Sequence, residues 1–113
     1  MVNEAKSLLF DVIVGCKHID EFTVSIDFDD YDRSDLIRSA VERQFMIIGE
    51  AINKLKIVDA DIYSMIPHAS QIVGFRNILV HGYNAVSNQL VWEIIRDHIG
   101  ELKRVCESFL DEQ

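Results

Sequence analysis

The chain has 113 residues, 49% of them apolar and 27% charged, with a formal net charge of −8, a size suited to one domain around one core. That charge excludes coating of nucleic acid by the whole surface, which needs lysine and arginine to neutralise phosphates, but it allows a local basic cleft or a basic protein partner. No stretch approaches the ~20 apolar residues of a membrane span, no secretory leader is legible, and Cys16 and Cys106 have neither metal nor disulfide-framework spacing, so a reduced, cytoplasmic protein is expected.

One proline and five glycines punctuate the sequence, and no long run alternates apolar with polar residues, so helices should dominate. The first is predicted from about Asn3 to Phe22, where Ala5, Leu8, Leu9, Val12, Ile13, Cys16 and Ile19 make one apolar stripe. Between Thr23 and Arg33 the helical period is lost and carboxylates accumulate, which reads as a connection or a short irregular helix. A second long helix follows, capped by Asp32 or Ser34, with Ile37, Val41, Phe45, Ile48, Ile52 and Leu55 on its buried side and an end near Lys56. A short helix from Asp59 to Ile66 is stopped by Pro67. A third helix begins around Ser70 and carries Ile72, Val73, Phe75, Ile78, Leu79 and Val80, with Gly82 placed to end it or to loosen its last turn.

The last helix is capped by Ser87, with Val86 stapled to Val91. Its apolar repeat runs through Leu90/Val91, Ile94/Ile95, Ile99, Leu102, Val105/Cys106 and Phe109/Leu110. The predicted fold is all-α, an up-and-down bundle of four to five helices in a single domain.

Of the four histidines, His18 and His98 lie in helices without an obvious second group, and His68 follows Pro67 in a turn; surface or core-edge positions explain all three. No Glu-x-x-His pair and no Cys/His cluster of zinc-site spacing occurs, so neither a metal nor another cofactor is expected. His81 differs, because Arg76, Asn77, His81 and Tyr83 gather within eight residues of an otherwise apolar helix. Asn77 and His81, four apart, share a face, so the amide could orient the imidazole. Arg76 and His81, five apart, are separated by ~140° around the axis and ~7.5 Å along it. They meet only if the helix distorts near Gly82 or if a two-fold partner supplies the facing group. Such a cleft suits RNA cleavage, the histidine moving a proton and the arginine stabilising the phosphate. The competing structural reading pairs Arg76 with a helix carboxylate, lets His81 cap the helix C-terminus and packs Tyr83 over it; spacing alone favours that reading.

The segment from Arg76 to Tyr83 resembles the Arg-x-x-x-x-His-x-Tyr signature of HepT toxins in the HEPN superfamily. Residues 38–51 resemble that family's second-helix signature, Ala-Val-Glu-Arg leading into Ile-Gly-Glu-Ala, and Trp92 stands where the family tends to carry a tryptophan. The resemblance implies a helical HEPN homodimer with the motif helices facing each other and metal-independent endoribonuclease activity. In it Arg76 and His81 are catalytic, Asn77 supports them, and Tyr83 is where a partner attaches AMP. That partner is an MNT-type minimal nucleotidyltransferase acting as antitoxin and using ATP. Relatives often carry Pro-Trp where this chain has His68-Ala69, so the preceding loop should pack differently. Glu50 is read equally as a support for Arg76 or as an exposed helix carboxylate, and Gly49 as a close helix contact. The alternative function is a non-catalytic subunit that holds a nucleotidyltransferase or its substrate.

Overall fold

Seven helices and no strand form among residues 1–82 and 86–111, which are those described by the structure, a computed structural model. They are α1 (Asn3–Thr23), α2 (Phe28–Arg33), α3 (Asp35–Val58), α4 (Ala60–Met65), α5 (Ala69–His81), α6 (Asn88–Asp97) and α7 (Ile99–Asp111). The all-α fold anticipated from periodicity is the one adopted, with seven helical segments where four to five were expected.

Helix α3 is the centre of the bundle, packed on α1 at one side and on α5 at the other, while α7 lies along α1. The stripes that predicted α1 and α3 are the core: Leu9, Val12, Cys16 and Ile19 meet Val41, Ile48, Ile52 and Leu55, all at 0% exposure. Full burial of each aliphatic side chain stabilises the fold by roughly 1.5–3 kcal/mol.

The ends of the helices are set by short polar side chains. Ser34, rather than Asp32, caps α3, its Oγ accepting from Ile37 N at 3.1 Å. Asp59 Oδ1 accepts from Ile62 N at 3.1 Å at the start of α4, and Ser87 Oγ from Leu90 N at 3.2 Å at the start of α6.

The carboxylate-rich link contains α2, which begins with a reciprocal cap: Asp27 Oδ1 accepts from Asp30 N at 2.9 Å, and Asp30 Oδ2 from Asp27 N at 3.2 Å. The hydrogen bond from Asp30 holds the Asp27 carboxyl below its ordinary range. Asp32 Oδ1 accepts from Asn88 Nδ2 at 2.8 Å, tying α2 to the first turn of α6. Across that join Trp92 packs on Phe28 and Tyr31, with ring centroids 6.4 and 5.5 Å away.

The predicted last helix is interrupted at His98. The backbone bonds His98 N to Ile94 O (2.9 Å) and Leu102 N to His98 O (3.0 Å) flank the break, so α6 and α7 are joined by a one-residue departure from helical geometry instead of a loop. The His68 ring lies 5.1 Å from that of His98. His68 itself adopts a left-handed backbone, φ 58°, at the entrance to α5.

Candidate active site

Helix α5 carries the predicted site and is unlike the others. It is apolar along much of its length, yet Ala69 is its only buried residue, and Ile78 and Val80 remain 52% and 46% exposed. Its principal neighbour is α3. A cavity of about 230 Å³ lies beside its first half, lined by His68, Ile72 and Phe75 together with Ile94, His98 and Leu102. The outer face of α5 presents Ser70, Gln71, Gly74, Asn77, Ile78 and His81, all exposed. That spacing is the i, i+1, i+4, i+7, i+8, i+11 pattern by which one helix meets another. A Cβ added to Gly74 would find no atom within 4 Å, so nothing in the single chain requires a glycine there.

Arg76 sits on the side of α5 that faces α3, partly buried. Its stem packs over Gly49. Its Nη1 donates to Asn77 Oδ1 at 2.9 Å, and its Nε is buried without a hydrogen-bond partner among the described residues. Among the described residues no carboxylate pairs with it. A permanently charged, part-buried guanidinium in that state is costly unless an anion completes it.

His81 is the last residue of α5 and is exposed. The helix runs unbroken from Arg76 to His81, and the left-handed turn comes after it, at Gly82, φ 61°, whose N–H donates to Ile78 O at 3.0 Å. Helix distortion therefore does not bring Arg76 and His81 together within one chain. Tyr83 lies outside the described residues.

Two supporting roles differ from expectation. The Asn77 oxygen engages Arg76 and not His81; the i, i+4 geometry permits the expected pair, but the adjacent guanidinium is a stronger, charged donor. Of the two readings of Glu50, the structure shows the exposed carboxylate, 3.3 Å from Lys54 Nζ one turn along α3, and so not a support for Arg76. The sequence signal that does locate the arginine's support is Gly49 of the Ile-Gly-Glu-Ala segment, read above only as a packing glycine.

Other reactive groups are withdrawn from chemistry. Burial pushes the Cys16 and Cys106 thiols up to about 12, which keeps them as un-ionised core side chains. Burial likewise raises Tyr31, whose hydroxyl is enclosed without a hydrogen-bond partner among the described residues and whose ring packs on Trp92. Among the described residues no group of three potential metal ligands occurs, and no helix is long and apolar enough to cross a membrane.

Fold and site define an all-helical bundle that presents, on one apolar helix, an exposed histidine and an arginine without a carboxylate partner among the described residues. Residues 13–109 match the Ribonuclease HepT-like family, and the chain belongs to it. Its relatives include two proteins of Methanocaldococcus jannaschii. The protein named "Putative RNase MJ1380" is 31% identical over 106 residues, 92% of this chain and 94% of its own length. "Putative RNase MJ0125" is 30% identical, covering 95% of this chain and 91% of its own length. "Probable ribonuclease HepT" of Thermococcus cleftensis is 29% identical over 96% and 97% of the two chains. No solved structure gives a significant match.

Proposed function

We propose that this chain is the RNA-cleaving toxin of a two-gene toxin–antitoxin pair, acting as a homodimer in which Arg76 of one copy and His81 of the other close on a single phosphate. One observation carries the reading: Arg76 is part-buried and lacks an anionic partner among the described residues, on a continuous helix whose exposed face ends in His81. The face containing Gly74 and Ile78 supports pairing of two α5 helices, since a glycine there lets backbones approach and the apolar side chain rewards contact.

In such a cleft the ribose 2′-oxygen attacks the adjacent phosphorus, the P–O5′ bond breaks, and a 2′,3′-cyclic phosphate and a 5′-hydroxyl result. The imidazole transfers the proton that leaves the 2′-hydroxyl or the one gained by O5′. The guanidinium matches the phosphate oxygens as their charge grows. Neither step calls on a metal. Tyr83, two residues beyond His81, is the proposed attachment point for AMP: its hydroxyl oxygen attacks the α-phosphorus of ATP held by a nucleotidyltransferase antitoxin, and pyrophosphate leaves; the added bulk and charge would repel RNA from the cleft.

The test is to incubate the purified, unmodified protein with RNA in EDTA. Cleavage by the wild type and its loss in His81→Ala are expected. RNA left equally intact by both would overturn the reading and leave the non-catalytic partner subunit.

A further inference from the structure

We propose that Gly49 is the positioning residue for Arg76, a role that rests on the reading of Arg76 as the phosphate-binding group. Gly49 is buried in the middle of α3 where α5 crosses it. The volume a side chain would need there is filled by Arg76: a Cβ added to Gly49 would lie 2.8 Å from Arg76 Cγ, closer still to Arg76 Cβ, and 3.4 Å from the carbonyl oxygen of Ile72. Ordinary carbon–carbon contact is about 3.5–4.0 Å. The Cβ of Arg76 is fixed by the backbone of α5, so no rotamer change relieves the overlap. Any residue other than glycine at this crossing must lift α5 from α3 by on the order of 1 Å, given those contact distances.

The seat has a consequence for the guanidinium. Because the stem lies flat on the glycine, Nε is enclosed without a partner and Nη1 is held on Asn77. The direction in which the remaining donors point is thereby set by the helix crossing and not by a carboxylate. Gly100 offers a contrast. A Cβ there would meet Arg104 Nη1 at 3.3 Å, the far end of a flexible side chain on α7 that can move away, and not the fixed stem of Arg76.

The experiment compares wild type, Gly49→Ala and Gly100→Ala by RNA cleavage in EDTA, and follows the Arg76 Nε–H resonance by NMR. Misplacement of a phosphate-binding group by ~1 Å lowers kcat about 100-fold, with little change in KM if the arginine acts on the transition state. Gly49→Ala should show that fall together with a moved, faster-exchanging Nε proton; Gly100→Ala should stay within a few-fold of wild type on both. A Gly49→Ala protein with wild-type kcat and an unmoved Nε resonance overturns the proposal, as does an equal loss in Gly100→Ala. If wild type leaves RNA intact, the nuclease reading falls, and the Nε resonance alone decides whether Gly49 seats the arginine. If Gly49→Ala does not fold, exchange in wild type decides: Arg76 Nε–H must exchange more slowly than that of the exposed Arg43, and equal rates refute the seat.

Discussion

Replacing Ile78 by alanine probes the proposed pairing of α5 helices without disturbing the single chain. Ile78 is on the surface, at 52% exposure, and alanine is the strongest helix former, so stability of the separated chain should change by less than about 0.5 kcal/mol. In a dimer the exposed half of the side chain would be covered. Burying a whole aliphatic side chain is worth about 1.5–3 kcal/mol, so the exposed half represents roughly 1 kcal/mol. A two-fold interface counts it twice, giving about 2 kcal/mol in all. At 1.4 kcal/mol per tenfold change, the dissociation constant should rise roughly 30-fold. Sedimentation equilibrium measures this directly, and RNA cleavage at low protein concentration should fall in parallel. A wild-type chain that stays monomeric at high concentration, or a variant that dimerises as tightly as wild type, would refute the pairing of these faces.

Two further outcomes test the fold that carries the site. Leu55, at 0% exposure, and Ile57, at 86%, stand two residues apart on α3. Leu55→Ala should cost about 2–5 kcal/mol, lowering Tm by more than ~10 °C for a chain of this size, whereas Ile57→Ala should leave thermal unfolding near wild type. At acid pH, Asp27 is the informative group. Its carboxyl is held below the ordinary 3.8, chiefly by the Asp30 amide, so the cap contributes fully above that value and is lost as pH falls through the lower folded one. The chain's one tryptophan, Trp92, packs on α2 and reports the loss: its emission should change in that window in wild type, and Asp27→Ala, which removes the capping acceptor, should already show the altered emission at neutral pH.

The parts of the fold legible in the sequence are those where a single periodic stripe decides the structure. In α1 and α3 the apolar residues recur on one face because one face is buried, so their boundaries and core follow directly. The break at His98 is invisible to the same reasoning, since Ile95, Ile99 and Leu102 keep the three- and four-residue rhythm across it. Helix α2 is obscured by its own caps, because the aspartates that start it look like a polar link. In the site, Arg76 and His81 stood out as polar residues on an apolar helix, and the exposure of Ile78 and Val80 explains why that helix is apolar beyond what the single chain buries. What spacing could not supply is which neighbour each polar group chooses. The Asn77 amide serves Arg76 and Glu50 serves Lys54, and Gly49 matters through a helix crossing that one-dimensional distance does not contain.

Mixing two inactive proteins tests most directly whether the arginine and the histidine act from different copies. Arg76→Ala and His81→Ala are purified separately, combined, allowed to exchange subunits, and assayed for RNA cleavage in EDTA. Each heterodimer then holds one intact Arg76 and one intact His81 on opposite chains, so activity absent from either protein alone should reappear on mixing. A mixture that has exchanged subunits and still leaves RNA uncut, while wild type cleaves it, would mean that both groups must come from the same chain.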